Sequence, residues 1–259
     1  MSTPVEVPSL PEAYESIPCV THRHTPRRRA VARSMTLAAQ VPTLTADVRV
    51  DLSQLMSVRA DWGHNGGAAG RPSVLALIAW NAVRALDAFP ALNASWSEQA
   101  LLAWEPVNLA IAVDTPKGVV APVIRRAETL NAAELTAAFA AVADRARGRG
   151  LSLADLEGGT FTISNPGAVG PAIRAEALLN VPQVALLGLP GIVRQPIVVG
   201  TGQDERVEIR STISPSLTFD HRAIDGADAI RYLVALRDHI ETTDAAEYHR
   251  AAQPDRRTS

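Results

Sequence analysis

The chain has 259 residues and a formal net charge of −2, a balance that gives no signal for a nucleic-acid partner. Its residues are 47% hydrophobic, which suits one α/β domain with a substantial core, but no apolar run approaches the roughly 18 residues that a membrane span needs. The single cysteine, Cys19, and an N-terminus without a signal-peptide pattern predict a cytoplasmic protein.

The first part of the chain predicts an arm followed by alternating helices and one strand. Residues 1–25 carry four prolines and little periodicity, which is typical of an extended arm or linker. The pattern of apolar residues then predicts, in order, a helix over 28–39, a half-buried strand over 43–50, a helix from Asp51 to Gly63 and an apolar helix over 73–89. Pro90 ends the last of these helices.

The second part predicts most of the sheet. The segments 107–113 and 119–124 predict a hairpin, because the turn sequence 114–118 joins them. A helix capped by Asn131, short strands and a final helix follow, at 131–147, 161–163, 184–189, 207–213, 217–219 and 227–240. We expect residues 242–259 to be frayed. No cluster of Cys, His and carboxylates has metal-ligand spacing, so we predict no metal site.

The segment Asp220–Gly226, Asp-His-Arg-Ala-Ile-Asp-Gly, is the most informative part of the sequence. It lies between the predicted strand 217–219 and the last helix, where a loop can present side chains from a rigid frame. A histidine with a pKa near 6.5 can accept a proton from a thiol or hydroxyl near neutral pH, so His221 is a candidate general base. The alternative is that His221 and Asp225 are a surface or capping pair.

This segment resembles the active-site motif of the dihydrolipoyl acyltransferases, the core enzymes of 2-oxoacid dehydrogenase complexes and relatives of chloramphenicol acetyltransferase. Further similar segments follow the family's order, at 28–35, 89–94, 111–118 and 158–165, so that the resemblance spans about residues 25–241. It implies an α/β fold, a chloramphenicol acetyltransferase-like two-layer sandwich of mixed β-sheet and helices. The expected domains are an arm over 1–25, a catalytic domain over 26–241 and a tail over 242–259.

The resemblance also implies roles for individual residues. Ser164 would donate a hydrogen bond to the oxyanion, with Asn165 in the same turn, although a simple turn serine is the alternative. Asp225 would brace the active-site loop as an orienting group, because a carboxylate held by arginine and backbone amides stays ionised and accepts hydrogen bonds only. Arg222 and Gly226 would support the same loop, and a solvated charge is the alternative for Arg222. Arg28 and Arg29 would contact coenzyme A phosphates, and surface solvation is the alternative for both.

The family's assembly implies a homotrimer or a multiple of three. The histidine of one subunit would face the serine of its neighbour across a channel that takes coenzyme A, or acyl-coenzyme A, from one end and the acceptor from the other. Lys117 is the only lysine and lies in a catalytic-domain turn, so we expect no covalent lipoate in this chain and a lipoyl-bearing protein in trans. The segment 170–176 departs from the family's usual sequence, on the acceptor side of the channel.

The leading hypothesis is therefore an acyltransferase between coenzyme A and a dihydrolipoyl acceptor, or another thiol, hydroxyl or amine. One alternative is a stand-alone acyltransferase for a specialised small molecule. A condensation-type enzyme is disfavoured because its related motif has two adjacent histidines, and Asp220 stands in place of the first. The alternative from another class is a trimeric or cage-forming scaffold whose chemistry has lapsed.

Overall fold

The structure is a computed structural model, and it describes residues 12–14, 17–65, 71–116, 118–148, 150–170 and 172–249. Most of the predicted arm, the glycine-rich segment 66–70, Lys117 and the end of the tail, 250–259, lie outside the described residues. The helices are α1 Pro26–Ala38, α2 Ser53–Asn65, α3 Val74–Leu86, α4 Ala132–Arg147, α5 Gly226–Thr242 and α6 Ala245–His249. The strands are β1 Thr43–Asp47, β2 Val50–Asp51, β3 Ala94–Trp96, β4 Leu101–Ala103, β5 Leu109–Ile111, β6 Val123–Ile124, β7 Phe161–Ser164, β8 Ala185–Gly188, β9 Val193–Val199, β10 Arg206–Ile213 and β11 Ser216–Asp220.

A six-stranded mixed sheet in the order β1-β11-β8-β7-β5-β6 organises the molecule. Strands β5, β7 and β8 run parallel, and the outer pairs are antiparallel. Helix α3 packs against α4 and α5, and α5 also contacts β1 and β11. Alternate strand residues form one core with these helices: Leu109, Ile111, Phe161, Ile163, Ala185, Leu187, Leu217 and Phe219. The predicted α/β sandwich of a mixed sheet and helices is confirmed.

The second face of the sheet carries both polar and apolar side chains and is largely buried. Ser216, Thr218 and Asp220 of β11 and Thr162 of β7 alternate with the core residues, and each is at most 3% exposed. The segment between residues 172 and 184 crosses this face: a Cβ on Gly188 would lie 1.9 Å from the carbonyl oxygen of Ala175. Position 188 therefore admits only glycine, because any side chain would displace the crossing segment.

The predicted strand over 43–50 is wrong as a single element. It divides into β1, which pairs with β11, and β2, which pairs with β10 in a separate sheet of order β2-β10-β9. Strand β9 and the hairpin of β3 and β4 were not predicted. The predicted hairpin over 107–124 is present as β5 and β6, extended by the bridge between Val113 and Val120.

The prediction that the chain frays after residue 241 is wrong for residues 242–249. Helix α5 continues to Thr242, and α6 packs on the core with Tyr248 fully buried. The Asn81 amide donates a 2.7 Å hydrogen bond to the Tyr248 hydroxyl, and the two rings of Trp80 and Tyr248 lie 4.9 Å apart. This buried contact anchors a helix that is too short to be stable alone.

Candidate active site

His221 lies in the turn between β11 and α5, as the strand–loop–helix pattern predicts. Its backbone N–H donates a 2.9 Å hydrogen bond to the carbonyl of Pro42, which joins the turn to the residue before β1. The imidazole is exposed, and its ring centre lies 5.7 Å from that of Phe219. The turn therefore presents a titratable side chain from an ordered backbone.

The residues on either side of His221 form an ion pair that the sequence analysis missed. The buried carboxylate of Asp220 accepts hydrogen bonds from the Arg222 backbone N–H at 2.9 Å and from its guanidinium at 2.6 to 3.2 Å. These hydrogen bonds raise the pKa of Arg222, against the opposing effect of burial. The guanidinium carbon also lies 4.9 Å from the ring centre of Trp96.

Asp225 does not have the environment that we expected. Its carboxylate is exposed and makes no cap hydrogen bond to α5, although its backbone carbonyl accepts from the N–H groups of Asp228 and Ala229. The arginine-held carboxylate is Asp220 instead, because that side chain is buried and needs a partner. A Cβ on Gly226 would meet nothing within 4 Å, so glycine is not required there by packing within this chain.

Ser164 ends β7 and begins a turn held against the residues after β8. Its carbonyl accepts a 2.7 Å hydrogen bond from the Leu189 N–H, and the Gly167 N–H donates to the Leu189 carbonyl at 3.2 Å. Ser164 and Asn165 are both partly exposed. The Asn165 side chain makes no cap hydrogen bond to the short helical turn that follows. The Ser164 hydroxyl is thus placed at an open end of the sheet.

His221 and Ser164 lie at opposite ends of the sheet. Strand β11 is antiparallel to β8 and β7 is parallel to it, so the ends of β11 and β7 point in opposite directions. The register places Asp220 four residues from the level of Ser164 and two strands away, a separation of about 16 Å between Cα atoms at ordinary strand spacings. The two side chains therefore do not meet within one chain.

The arginines at the start of α1 occupy different positions. Arg28 and Arg29 are exposed, and the Arg29 guanidinium donates to the carbonyl of His24 at 2.9 Å. Arg27, which was not singled out, donates to the carbonyls of Gly118 and Val119 at 3.0 and 3.1 Å. Arg27 thereby attaches α1 to the turn after β5, and leaves Arg28 beside it in solvent.

No group of three or more His, Cys, Asp or Glu side chains could hold a metal ion within the described ranges. In the same residues, no helix combines the length and the apolar character needed to cross a bilayer.

The family model of the 2-oxoacid dehydrogenases acyltransferase catalytic domain matches residues 19–247. Among curated relatives, the dihydrolipoyllysine-residue acetyltransferase component of the Corynebacterium glutamicum pyruvate dehydrogenase complex is 40% identical over 164 residues, 62% of this chain and 24% of that protein. The succinyltransferase component of the Bos taurus 2-oxoglutarate dehydrogenase complex is 39% identical over 135 residues, 52% of this chain and 29% of that protein. The chain thus spans only about a quarter of the length of these two relatives.

Solved structures agree with the family model. The dihydrolipoamide acetyltransferase of Azotobacter vinelandii, studied for the catalytic roles of a serine, a histidine and an asparagine, has a TM-score of 0.82 and 28% identity over 91% of this chain and 97% of that one. A probable dihydrolipoamide acetyltransferase from Listeria monocytogenes has a TM-score of 0.81 and 27% identity over 87% and 96%. The cubic core of a pyruvate dehydrogenase multienzyme complex gives 0.81 and 28%, over 91% and 97%. The chain belongs to the acyltransferase catalytic-domain family of the 2-oxoacid dehydrogenases.

Proposed function

We propose that this chain transfers an acyl group between coenzyme A and a dihydrolipoyl acceptor, with His221 as the general base. The observation that carries the proposal is the exposed imidazole of His221, presented by a turn in which the buried Asp220 and the exposed Arg222 form an ion pair on either side of it. Membership of an acyltransferase catalytic-domain family supports the reaction class. The relatives named as acetyl- and succinyltransferases act on dihydrolipoyllysine residues, which supports the acceptor class.

The proposed chemistry needs one base and one hydrogen-bond donor. Neutral His221 removes the proton of the acceptor thiol, and the thiolate attacks the carbonyl carbon of acyl-coenzyme A. The tetrahedral oxyanion accepts a hydrogen bond from the hydroxyl of Ser164 of the partner subunit. The intermediate then expels the coenzyme A thiolate, which takes the proton back from the imidazolium of His221. The proton count balances, and the reverse transfer uses the same groups.

We propose that the site forms between subunits of a homotrimer or a multiple of three. The separation of about 16 Å between the Cα atoms of Asp220 and Ser164 supports this, since neither side chain can span it within one chain. The similarity to a cubic multienzyme core supports assembly into symmetric oligomers. On this proposal, the exposed Asp225 carboxylate and Gly226 lie near the partner subunit, where they support the channel.

Coenzyme A carries phosphates, and we propose that Arg28 and Arg29 bind them. Both are exposed at the start of α1, whose direction is fixed by the bonds of Arg27 to the turn after β5. The acceptor side is proposed near the Ser164 turn and the segment 172–176, where Arg174 pairs with Asp47 and Glu176. On this proposal a lipoyl-bearing partner presents the dihydrolipoyl group to this side of the site.

The proposal is tested with the purified chain, acetyl-coenzyme A and free dihydrolipoamide. Wild-type protein should form the acetyl thioester, and His221→Ala should lower turnover by about 10²–10⁴-fold, the usual contribution of a general base. Light scattering should show the same oligomer for both proteins, because His221 is exposed and its replacement leaves no cavity in the core. Near-wild-type turnover in His221→Ala would contradict the mechanism. Transfer only to a non-lipoyl thiol, hydroxyl or amine would keep the mechanism and change the acceptor.

A further inference from the structure

Trp96 contacts the ion pair that flanks His221. Asp220 is 2% exposed, and its carboxylate holds the Arg222 guanidinium through hydrogen bonds of 2.6 to 3.2 Å. The other side of the guanidinium meets the Trp96 ring, with 4.9 Å between its carbon and the ring centre. This distance is within the range at which an aromatic face attracts a guanidinium. Arg222 is therefore held between a carboxylate and an indole.

The strand that carries Trp96 is also joined to Asp220 through the backbone. The Val184 N–H donates to the Ala94 carbonyl at 3.1 Å, and the Asp220 N–H donates to the Val184 carbonyl at 2.8 Å. Trp96 and Asp220 are thus linked twice, once through these backbone bonds and once through Arg222. We call the five residues Ala94, Trp96, Val184, Asp220 and Arg222 the Trp96 bracket.

We propose that Trp96 is a positioning residue for His221, acting through Arg222. His221 lies between the two residues that the bracket holds, so its backbone angles follow those of Asp220 and Arg222. Its exposed imidazole contacts the ring of Phe219, with 5.7 Å between the ring centres, so its orientation depends on the backbone of the turn and on that one contact. The inference rests on the proposed role of His221 as base. A catalytic group displaced by about 1 Å can lose about 10²-fold in rate, which makes such bracing consequential.

A double-mutant cycle on turnover tests the link. Trp96→Leu should lower kcat about 3- to 30-fold, the range that a cation–π contact supports, with the KM for acetyl-coenzyme A within about twofold. Trp96→Phe keeps an aromatic face and should lie within about threefold of wild type. Arg222→Lys keeps the charge but loses the planar contact, so adding Trp96→Leu to it should lower kcat by less than about twofold more. Trp104→Leu, directly after β4, removes an indole that donates to the Ser95 hydroxyl at 3.0 Å; it is the control and should keep kcat near that of wild type.

Hydrogen exchange separates this inference from the proposed function. In Trp96→Leu and in Arg222→Lys, the amides of residues 219–224 should exchange about 3- to 30-fold faster, and in Trp104→Leu they should not. If wild-type protein shows no acyl transfer, the proposed function fails. Hydrogen exchange still tests whether the Trp96 bracket orders the backbone around His221. Should Trp96→Leu not fold, Trp96→Met takes its place, and Arg222→Lys reports on the same contact with Trp96 intact. Any of three results would overturn the inference: unchanged hydrogen exchange in residues 219–224, effects on kcat that multiply fully in the double-mutant cycle, or an equal loss of kcat in Trp96→Phe and Trp96→Leu.

Discussion

Gly167→Ala tests the packing that positions Ser164. A Cβ on Gly167 would lie 2.3 Å from the carbonyl oxygen of Pro190 and 2.6 Å from the amide nitrogen of Gly191. Non-bonded heavy atoms prefer roughly 3.5 Å, so either the Ser164 turn or the Pro190–Gly191 peptide must move by about 1 Å. Both are backbone segments in a packed region, and neither can rotate out of the way as a side chain would. Overpacking of this kind costs about 1–3 kcal/mol, and we expect about 2–3 kcal/mol.

The displacement should also reach Ser164. The Gly167 N–H donates to the Leu189 carbonyl and the Leu189 N–H donates to the Ser164 carbonyl, so a shift at position 167 moves Ser164. A 1 Å misplacement predicts a loss in kcat of about 10²-fold. Urea unfolding and acetyl transfer to dihydrolipoamide measure the two effects. The control is Gly170→Ala, where a Cβ meets nothing within 4 Å and both quantities should stay near wild type. Wild-type kcat in Gly167→Ala would show that the added methyl group leaves Ser164 in place.

Three further changes separate catalysis from folding. Ser164→Ala should lower kcat about 10²–10³-fold with a smaller change in the Kd for coenzyme A measured by calorimetry, and an equal loss in binding would indicate a structural serine. Tyr248→Phe should lower the free energy of unfolding by about 1–2 kcal/mol, because Asn81 loses a buried acceptor, and leave turnover unchanged; an unaltered urea midpoint would contradict the role of α6. Burial lowers the pKa of His239, and the positive charge of Arg84 lowers it further, while the carboxylates of Glu247 and Asp238 raise it by less. The unfolded chain therefore binds a proton at this histidine more readily than the folded chain does. Stability should then fall as the pH drops below about 6.5, and His239→Gln should flatten the unfolding free energy between pH 7 and pH 5.5.

Local signals in the sequence predicted most of the helices. The Asn131 side chain accepts from the Glu134 N–H and the Glu134 side chain accepts from the Asn131 N–H, a reciprocal cap that defines the start of α4. The Ser73 hydroxyl caps α3 with a single hydrogen bond, which it accepts from the Ala76 N–H. The turn that carries His221 was predicted because a histidine and a strand–loop–helix pattern coincide there.

Features that depend on distant contacts were not predicted. Strand β9 contains Arg194, Gln195 and Pro196, which break any apolar alternation, and it is defined by its pairing with β10. The division of the strand over 43–50 depends on β2 leaving for β10. The contact between Arg222 and Trp96 joins residues far apart in sequence, so no local pattern reveals it. For the same reason, the arginine-bound carboxylate was assigned to Asp225 rather than to Asp220.

A mixing experiment tests whether the active site is shared between subunits. His221→Ala and Ser164→Ala are each purified, mixed in equal amounts, unfolded and refolded together. A site that takes its histidine from one subunit and its serine from the next would be intact in about a quarter of random pairings, so the mixture should regain about a quarter of wild-type acyl transfer. A site contained within one chain would leave every subunit defective. Light scattering shows whether the mixture has reassembled. If a reassembled mixture is no more active than the average of the two separate variants, the active site is not shared between subunits.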